Sequence, residues 1–186
     1  MGLDKKRILG IDPGTQILGY GILEHDGSRT RVLDCNVMRL AKLPDDSSKL
    51  REIFLQVQEL IEAYQTGILS IELPFYGKNP QSMLKLGRAQ GVAIAAAIVM
   101  GAEIHEFSAK KIKKSVTGNG NASKEQVAEM ISRLLQYQIE SSYLDASDAL
   151  AAAYCFTCQN PVTAASQGRT GSWKQFLSSH PDRILK

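Results

Sequence analysis

The hydrophobic positions of the first forty residues fall into three short runs separated by polar connections. The runs cover residues 7–12, 19–24 and 30–38, and the connections contain Gly14, Gly19 and Gly27. Apolar runs of this length, bounded by glycine, are typical of strands. Because the connections are short, we expect these three strands to form an antiparallel meander.

After residue 40 the apolar spacing changes from that of strands to that of helices. Apolar residues recur every three or four positions over residues 50–64, which predicts a helix with Ser47 or Ser48 as its N-cap. The next segments are a predicted strand at 68–72, a helix rich in small residues at 82–100 and a strand at 103–107. Small residues on that helix fit close packing either within the fold or across a dimer interface.

The last predicted elements are helices. Ser108 caps a short basic helix, and Ser123 caps a helix that runs to about Leu135, with Gln126 at capping-box spacing. A final helix covers residues 145–156. Strands in a meander followed by strands separated by helices predict an α/β fold, a mixed five-stranded sheet flanked by helices on both faces.

Composition narrows the class of protein. The 186 residues are 44% hydrophobic and 22% charged, with a net charge of +3, as in ordinary globular chains. We expect one domain over residues 1–158 and a polar, loosely ordered tail over 159–186. The start lacks the apolar core of a secretory signal, and the apolar stretch at 91–102 is too short to cross a bilayer. We therefore expect a cytoplasmic protein without a membrane segment, and its odd number of cysteines suits a reducing compartment.

Four carboxylates at the ends of predicted elements carry the candidate chemistry: Asp12, Glu72, Asp145 and Asp148. Any one such residue is more often a turn or cap residue, although an unpaired carboxylate such as Glu72 at the end of an apolar strand is costly. Two like charges about 4 Å apart repel by roughly 4 kcal/mol at an effective dielectric near 20. Four that converge would need divalent metal, and a paired-metal site cleaves phosphodiesters.

Two further segments could contact nucleic acid. Lys110, Lys111, Lys113 and Lys114 cluster ahead of a glycine turn, and Lys124 follows it. Such a run is most often a solvated face, but beside a carboxylate site it would hold phosphates. Phe75 and Tyr76 follow Glu72 in a loop, where they could stack on unpaired bases or fold back onto the core.

With these motifs in order, the chain resembles the bacterial RuvC family of Holliday junction resolvases over residues 8–153. The resemblance rests on Ile8-Leu-Gly-Ile-Asp-Pro-Gly-Thr with Gly19-Tyr20-Gly21, Ile71-Glu72 with Phe75, Lys78-Asn79, residues 84–93, Gly118-x-Gly120 with Lys124, and Asp145-Ala-Ser-Asp148. The first motif alone also occurs in sugar kinases and actin-like ATPases. The whole set, at this chain length, is specific.

The resemblance implies a ribonuclease-H-like homodimer that nicks two opposing strands of a four-way DNA junction. It implies that the four acids bind two Mg²⁺ ions, with Mn²⁺ as an alternative, and that RuvA and RuvB are partners. Phe75 matches an aromatic that wedges into base pairs, and Lys113 and Lys124 match basic residues near the scissile phosphate. Tyr76 and Lys78 are further candidates for DNA contact. The helix at 82–100 resembles the dimer-forming element.

Three alternatives stay open at this point. A YqgF-like nuclease acting on RNA shares the first aspartate motif but is typically shorter. A junction-binding module without catalysis would not need all four acids. A phosphotransferase of the actin-like class would use Asp12-x-Gly14-Thr15, but that fold normally has two such domains and a longer chain.

Overall fold

A five-stranded mixed sheet forms the centre of the molecule, which the computed structural model describes at residues 5–73, 79–139 and 144–159. Its strands are β1 Lys6–Asp12, β2 Ile17–His25, β3 Thr30–Arg39, β4 Ile68–Glu72 and β5 Glu103–Phe107. They are ordered β3-β2-β1-β4-β5. The first three pair antiparallel, and β1, β4 and β5 pair parallel. The predicted meander and mixed sheet are thus confirmed.

Helices cover both faces of the sheet. They are α1 Asp46–Tyr64, α2 Pro80–Val99, α3 Ala109–Thr117, α4 Lys124–Leu135 and α5 Leu144–Thr157. The helices α1 and α2 bury one face through a cluster that includes Leu9 and Ile11 of β1. The helices α3, α4 and α5 bury the other face, which includes Ile8. Alternate residues of β1 therefore face different helices, as the period of a strand requires.

The helix starts differ from the sequence expectation at two places. The N-cap of α1 is Asp45, whose side chain accepts from the backbone N–H of Ser48 at 2.7 Å, so Ser47 and Ser48 lie inside the first turn. Likewise α2 begins at Pro80, two residues earlier than expected, because Asn79 caps it. The predicted capping box of Ser123 with Gln126 is confirmed.

Glycine has a different role in β2 from the one expected. Gly19 lies within the strand, opposite Asp12, and not in a turn. A Cβ placed on Gly19 would lie 2.0 Å from the carbonyl oxygen of Asp145, and one on Gly10 would lie 2.0 Å from that of Ala149. A Cβ on Gly21 would meet Leu150 at 2.6 Å. The backbone of α5 therefore lies directly on β1 and β2.

The composition of α5 fits this position. Ala146, Ala149 and Ala153 are fully buried, and the hydroxyl of Ser70 donates to the carbonyl of Ala152 at 2.5 Å. A helix that is apolar on nearly all sides is stable only when buried. Small residues on both surfaces thus bring α5 close to the sheet, and with it the acids of its first turn.

The outward side of α2 carries exposed apolar residues as well as the charged Lys85 and Arg88. Leu84, Ile98 and Val99 are 58–70% exposed, whereas Ala89, Ala93 and Ala96 pack against the sheet. Among the described residues, α2 is also the helix with enough length and apolar character to cross a bilayer, a test that core helices of soluble proteins pass as well. Residues 91–99 of the apolar stretch at 91–102 thus form the second half of this helix, whose outward side is exposed. Apart from Gln159, the expected tail lies outside the described residues.

Candidate active site

Strand register places Asp12 and Glu72 side by side. The parallel strands β1 and β4 pair Ile11 with Ile71, so the next residue of each strand lies at the same level. Neighbouring strands are about 4.8 Å apart. Since Ile11 and Ile71 both face α1 and α2, alternation turns Asp12 and Glu72 toward α5. Both acids therefore lie at the carboxyl edge of the sheet and on the same face.

The first turns of α5 complete the acidic group. Carboxylate oxygens of Asp12, Asp145 and Asp148 lie within 4.8 Å of one another, and all three residues are half-buried. Glu72 lies outside this 4.8 Å group, but the charge of Asp148 contributes to raising its pKa. The four acids predicted from sequence thus converge, with Glu72 at the margin.

The raised pKa values of the acids show that nearby positive charge does not balance their negative charge. Burial first, and then the charges of the neighbouring acids, raise the pKa of Asp12 to about 8, although Lys124 acts to lower it. Burial also raises the pKa of Glu72, and that of Asp148 despite its hydrogen bond with Lys124. In a protein interior such carboxylates favour either a proton or a cation.

Lys124 is the cation that contacts the acids. It is the first residue of α4, and its Nζ lies 2.6 Å from Asp148 Oδ2 and 3.9 Å from Asp145 Oδ1. Burial alone would lower the pKa of Lys124, but the hydrogen bond with Asp148 and the surrounding carboxylates hold it above its usual value. The lysine therefore stays charged within the site.

The basic run of α3 divides between two environments. Lys113 donates to the carbonyl of Ala122 at 2.8 Å, and its positive charge offsets part of the rise in the pKa values of Glu72 and Asp148. The ammonium of Lys111 instead lies 4.6 Å from the centre of the Phe107 ring. Of these two lysines, Lys113 is the one coupled to the acidic group.

Three of the predicted DNA-contacting residues, Phe75, Tyr76 and Lys78, fall in segment 74–78, outside the described residues. Their roles stay predictions. Residue Leu73, just before this segment, donates its backbone N–H to the carbonyl of Phe107 at 2.8 Å. The last described residue before the segment is therefore tied to the sheet beside Glu72.

Among the described residues, no histidine or cysteine joins the three acids. His105 lies in the edge strand β5, with its Nε2 2.7 Å from Glu103. Cys155 is buried and Cys158 is exposed.

Sequence reasoning missed the residues that set the distance between α5 and the sheet. Gly10, Gly19 and Gly21 all face α5. The available signal was their placement inside apolar strands, two of them at a spacing of two, which puts them on one face. It also missed Gln90, a polar residue on the buried side of α2, 5% exposed.

The donor set fits a hard divalent cation. Every side chain of the cluster offers carboxylate oxygen, the ligand that Mg²⁺ prefers, and neither histidine nor cysteine contributes to it. A cation placed among Asp12, Asp145 and Asp148 would supply the positive charge that Lys124 alone does not. The geometry is therefore that of an acidic metal centre at the edge of a mixed sheet.

Fold and site together define a ribonuclease-H-like nuclease, and the comparisons with known proteins give the particular family. The family model for the crossover junction endodeoxyribonuclease RuvC matches residues 8–156. The chain belongs to this family. A RuvC of Cytophaga hutchinsonii is 48% identical over 177 residues, 95% of this chain and 87% of that protein. A RuvC of Bacteroides fragilis is 48% identical over 182 residues, 97% and 96% of the two chains.

Solved structures agree. The chain is similar to Thermus thermophilus RuvC in complex with Holliday junction substrate, with a TM-score of 0.74 and 26% identity over 88% of this chain and 96% of that one. The yeast mitochondrial Holliday junction resolvase Ydc2 shares the fold, with a TM-score of 0.62 and 16% identity over 92% of this chain and 85% of that one.

Proposed function

We propose that this protein is a Mg²⁺-dependent endonuclease that resolves four-way DNA junctions by paired hydrolytic cuts in recombination and repair. The observation that carries the proposal is the convergence of Asp12, Asp145 and Asp148 within 4.8 Å, with Glu72 level with Asp12 on the neighbouring strand. Family membership supplies the substrate class, since its relatives are named crossover junction endodeoxyribonucleases.

The acids would hold two Mg²⁺ ions, with Mn²⁺ as an alternative. Ions held there would supply the positive charge that activates an attacking water and stabilises a leaving oxygen. The chain's own part is to hold the carboxylates in place, Asp12 and Glu72 on rigid strands and Asp145 and Asp148 on a buried helix. Lys124 stays charged beside them, where it can steady the negative charge that develops on the phosphate.

The DNA would be held by residues around this centre. Lys113 lies near enough to influence Glu72 and Asp148 electrostatically, so a phosphate bound between the acids and α3 would also meet its charge. Phe75 would wedge between base pairs at the branch point, and Tyr76 and Lys78 would contact the adjoining strand. These three roles rest on sequence alone.

Paired cuts require two active sites, and the described part of the chain supplies one acidic group. We propose a homodimer formed through the outward face of α2, where Leu84, Ile98 and Val99 are exposed. An exposed apolar strip of this kind is typical of a protein interface. RuvA and RuvB would be the branch-migration partners, and the cytoplasm would be the compartment.

The test is cleavage of a synthetic mobile four-way junction with Mg²⁺ and with EDTA, mapping both nicks. We expect symmetric nicks in Mg²⁺ and none in EDTA. Glu72→Gln should abolish cutting and retain junction binding. The matched control Glu129→Gln removes an exposed acid of α4, and it should cut normally.

Three outcomes would contradict the proposal. Normal cutting by Glu72→Gln would remove the catalytic role of the acids. Preference for a structured RNA over the junction would favour the YqgF-like alternative, and tight junction binding with no cutting in Mg²⁺ would favour a binding module.

A further inference from the structure

Gln90 is a buried amide that joins three elements next to the site. It lies on α2, is 5% exposed, and donates through Nε2 to two acceptors. One is the backbone carbonyl of Glu72 at 3.3 Å, and the other is Oε1 of Glu106 at 3.0 Å. The side chain thus ties α2 to the ends of β4 and β5.

The packing of α2 explains how this side chain reaches the sheet. Its neighbours on the buried side are Ala89 and Ala93, both almost fully buried. Methyl side chains let the helix approach the strands, so an extended glutamine can span the remaining gap. A polar group buried there is costly unless its hydrogen bonds are made, and both N–H groups of the amide have an acceptor.

The hydrogen bond from Gln90 to the Glu72 carbonyl lies just beyond the last pair of residues that joins β4 to β1. The β1–β4 ladder has its last pair at Ile11 and Ile71, one residue before Glu72. On the other side, Glu72 still pairs with Phe107 of β5. The N–H of the peptide that follows Glu72 donates to the carbonyl of Phe107, and Gln90 holds the carbonyl of the same peptide, at the point where β4 loses one of its two neighbouring strands.

Gln90 acts from the opposite face of the sheet to the chemistry. The carboxyl of Glu72 points toward α5, whereas Gln90 approaches from α2 and bonds Glu72 through its backbone carbonyl. A rotation of this peptide would redirect the carboxyl relative to Asp12 and Asp148. Misplacement of a catalytic group by about 1 Å can cost about 100-fold in rate.

We infer that Gln90 is a positioning residue, which fixes the peptide of Glu72 and so aims the Glu72 carboxyl into the acidic group. The inference rests on the proposed function, since it assigns a role within that site. It also makes α2 a support of the active site in addition to its exposed apolar residues.

The experiment compares single-turnover cleavage of the junction, with enzyme in excess, for four proteins. Gln90→Met keeps the length of the side chain and removes both hydrogen bonds. We expect its maximal rate to fall by about 10- to 100-fold, with half-saturating junction concentration unchanged. Glu106→Gln is the matched control, because its side-chain oxygen still accepts from Gln90, and it should cut like wild type.

The fourth protein separates positioning from mere packing. The exchange Gln90→Glu with Glu106→Gln lets the new amide donate to the new carboxylate, which restores the bond between α2 and β5. It leaves the Glu72 carbonyl without its donor. We expect the exchange to recover the melting temperature and not the maximal rate. This comparison decides the question even if Gln90→Met fails to fold.

Either of two results would overturn the inference. One is a Gln90→Met rate within twofold of wild type, and the other is recovery of the rate by the exchange together with the melting temperature. Absence of cutting by wild type would overturn the proposed function as well, so the two failures are distinguishable.

Discussion

Two groups of charged residues lie at opposite ends of the β1–β2 ladder, and they are built in opposite ways. At one end Glu24, only 6% exposed, is surrounded by Lys5, Arg7 and Arg31 at 3.4, 3.2 and 2.9 Å. At the other end Asp12 faces three further acids and one nearby lysine. The Glu24 end of the ladder is therefore neutralised, because three positively charged side chains surround one acid. The Asp12 end is deficient in positive charge, because four acids share one nearby lysine.

The pKa values show what the difference means. Hydrogen bonds from Arg31 first, then from Arg7 and Lys5, hold the pKa of Glu24 below its usual value against the effect of burial. Burial and neighbouring acids instead raise the pKa of Asp12 to about 8. A neutralised group stabilises the fold, whereas a group left without its counter-charge costs stability and is typical of a functional site. Variants at each end of the ladder test this difference.

The largest effect is expected at the deficient end. Asp12→Asn should lower junction cleavage by about 10³-fold or more, the scale seen when one member of a cooperating set is removed. The same variant should melt higher than wild type in EDTA at pH 8, because it removes a carboxylate that the fold keeps among like charges. A gain of about 1 kcal/mol would correspond to about 2–4 °C. Cleavage assays and thermal unfolding check both expectations, and a lower melting temperature would contradict the contrast.

The second effect concerns how the deficient end is assembled. Gly19→Ala would place a Cβ 2.0 Å from the Asp145 carbonyl oxygen, so α5 must move. We expect a loss of about 1–3 kcal/mol in unfolding free energy and of about 100-fold in cleavage rate. Gly67→Ala is the control, since nothing lies within 4 Å of its added Cβ. Equal behaviour of the two variants in denaturant titration and cleavage would refute the role of Gly19.

The third effect tests the lysine at the deficient end. Lys124→Gln removes the cation that contacts Asp148, so cleavage should fall by about 100-fold, the scale of one lost charge-stabilising donor. The Mg²⁺ concentration for half-maximal rate should fall as well, because Lys124 no longer competes with the metal for the carboxylates. A Mg²⁺ titration of the residual rate measures this. A higher Mg²⁺ requirement would show that the lysine supports metal binding.

The smallest effect on cleavage is expected at the neutralised end. Glu24→Gln should lower the melting temperature at pH 7 and leave the cleavage rate unchanged. Because folding lowers the pKa of Glu24, its stabilisation is present above the unfolded glutamate value of about 4.3 and is lost as pH falls through the folded value. The difference in melting temperature between variant and wild type should therefore shrink in acid. A difference that grows on acidification would contradict this sign.

Much of the site could be predicted because the strands end where their apolar runs end. Asp12 and Glu72 close such runs, and the parallel pairing of β1 with β4 places them level. Asp145 and Asp148 are three residues apart on a helix, which puts them on one side. These are local features, so the sequence is enough to indicate them.

Two of the details that failed depend on tertiary contact, and one depends on a choice among neighbouring cap residues. Gly19 was expected to shape a turn because glycine is common there, and only the position of α5 shows that the space above it is needed. Asp45 caps α1 within a run of cap-forming residues that includes Ser47 and Ser48, among which propensity does not choose. Gln90 could not be linked to Glu72, since 18 residues separate them in the chain.

The direct contact of α5 with the glycines of β1 and β2 has a consequence for the evolution of this site. Main-chain carbonyls of Asp145 and Ala149 lie against Gly19 and Gly10, so at these two positions the gap between helix and sheet is set by backbone and not by a large side chain. Leucines and isoleucines elsewhere in the core can be replaced by other apolar residues while the acids keep their separation. The enzyme's cutting chemistry should therefore tolerate wide variation in its interior and almost none at those two positions.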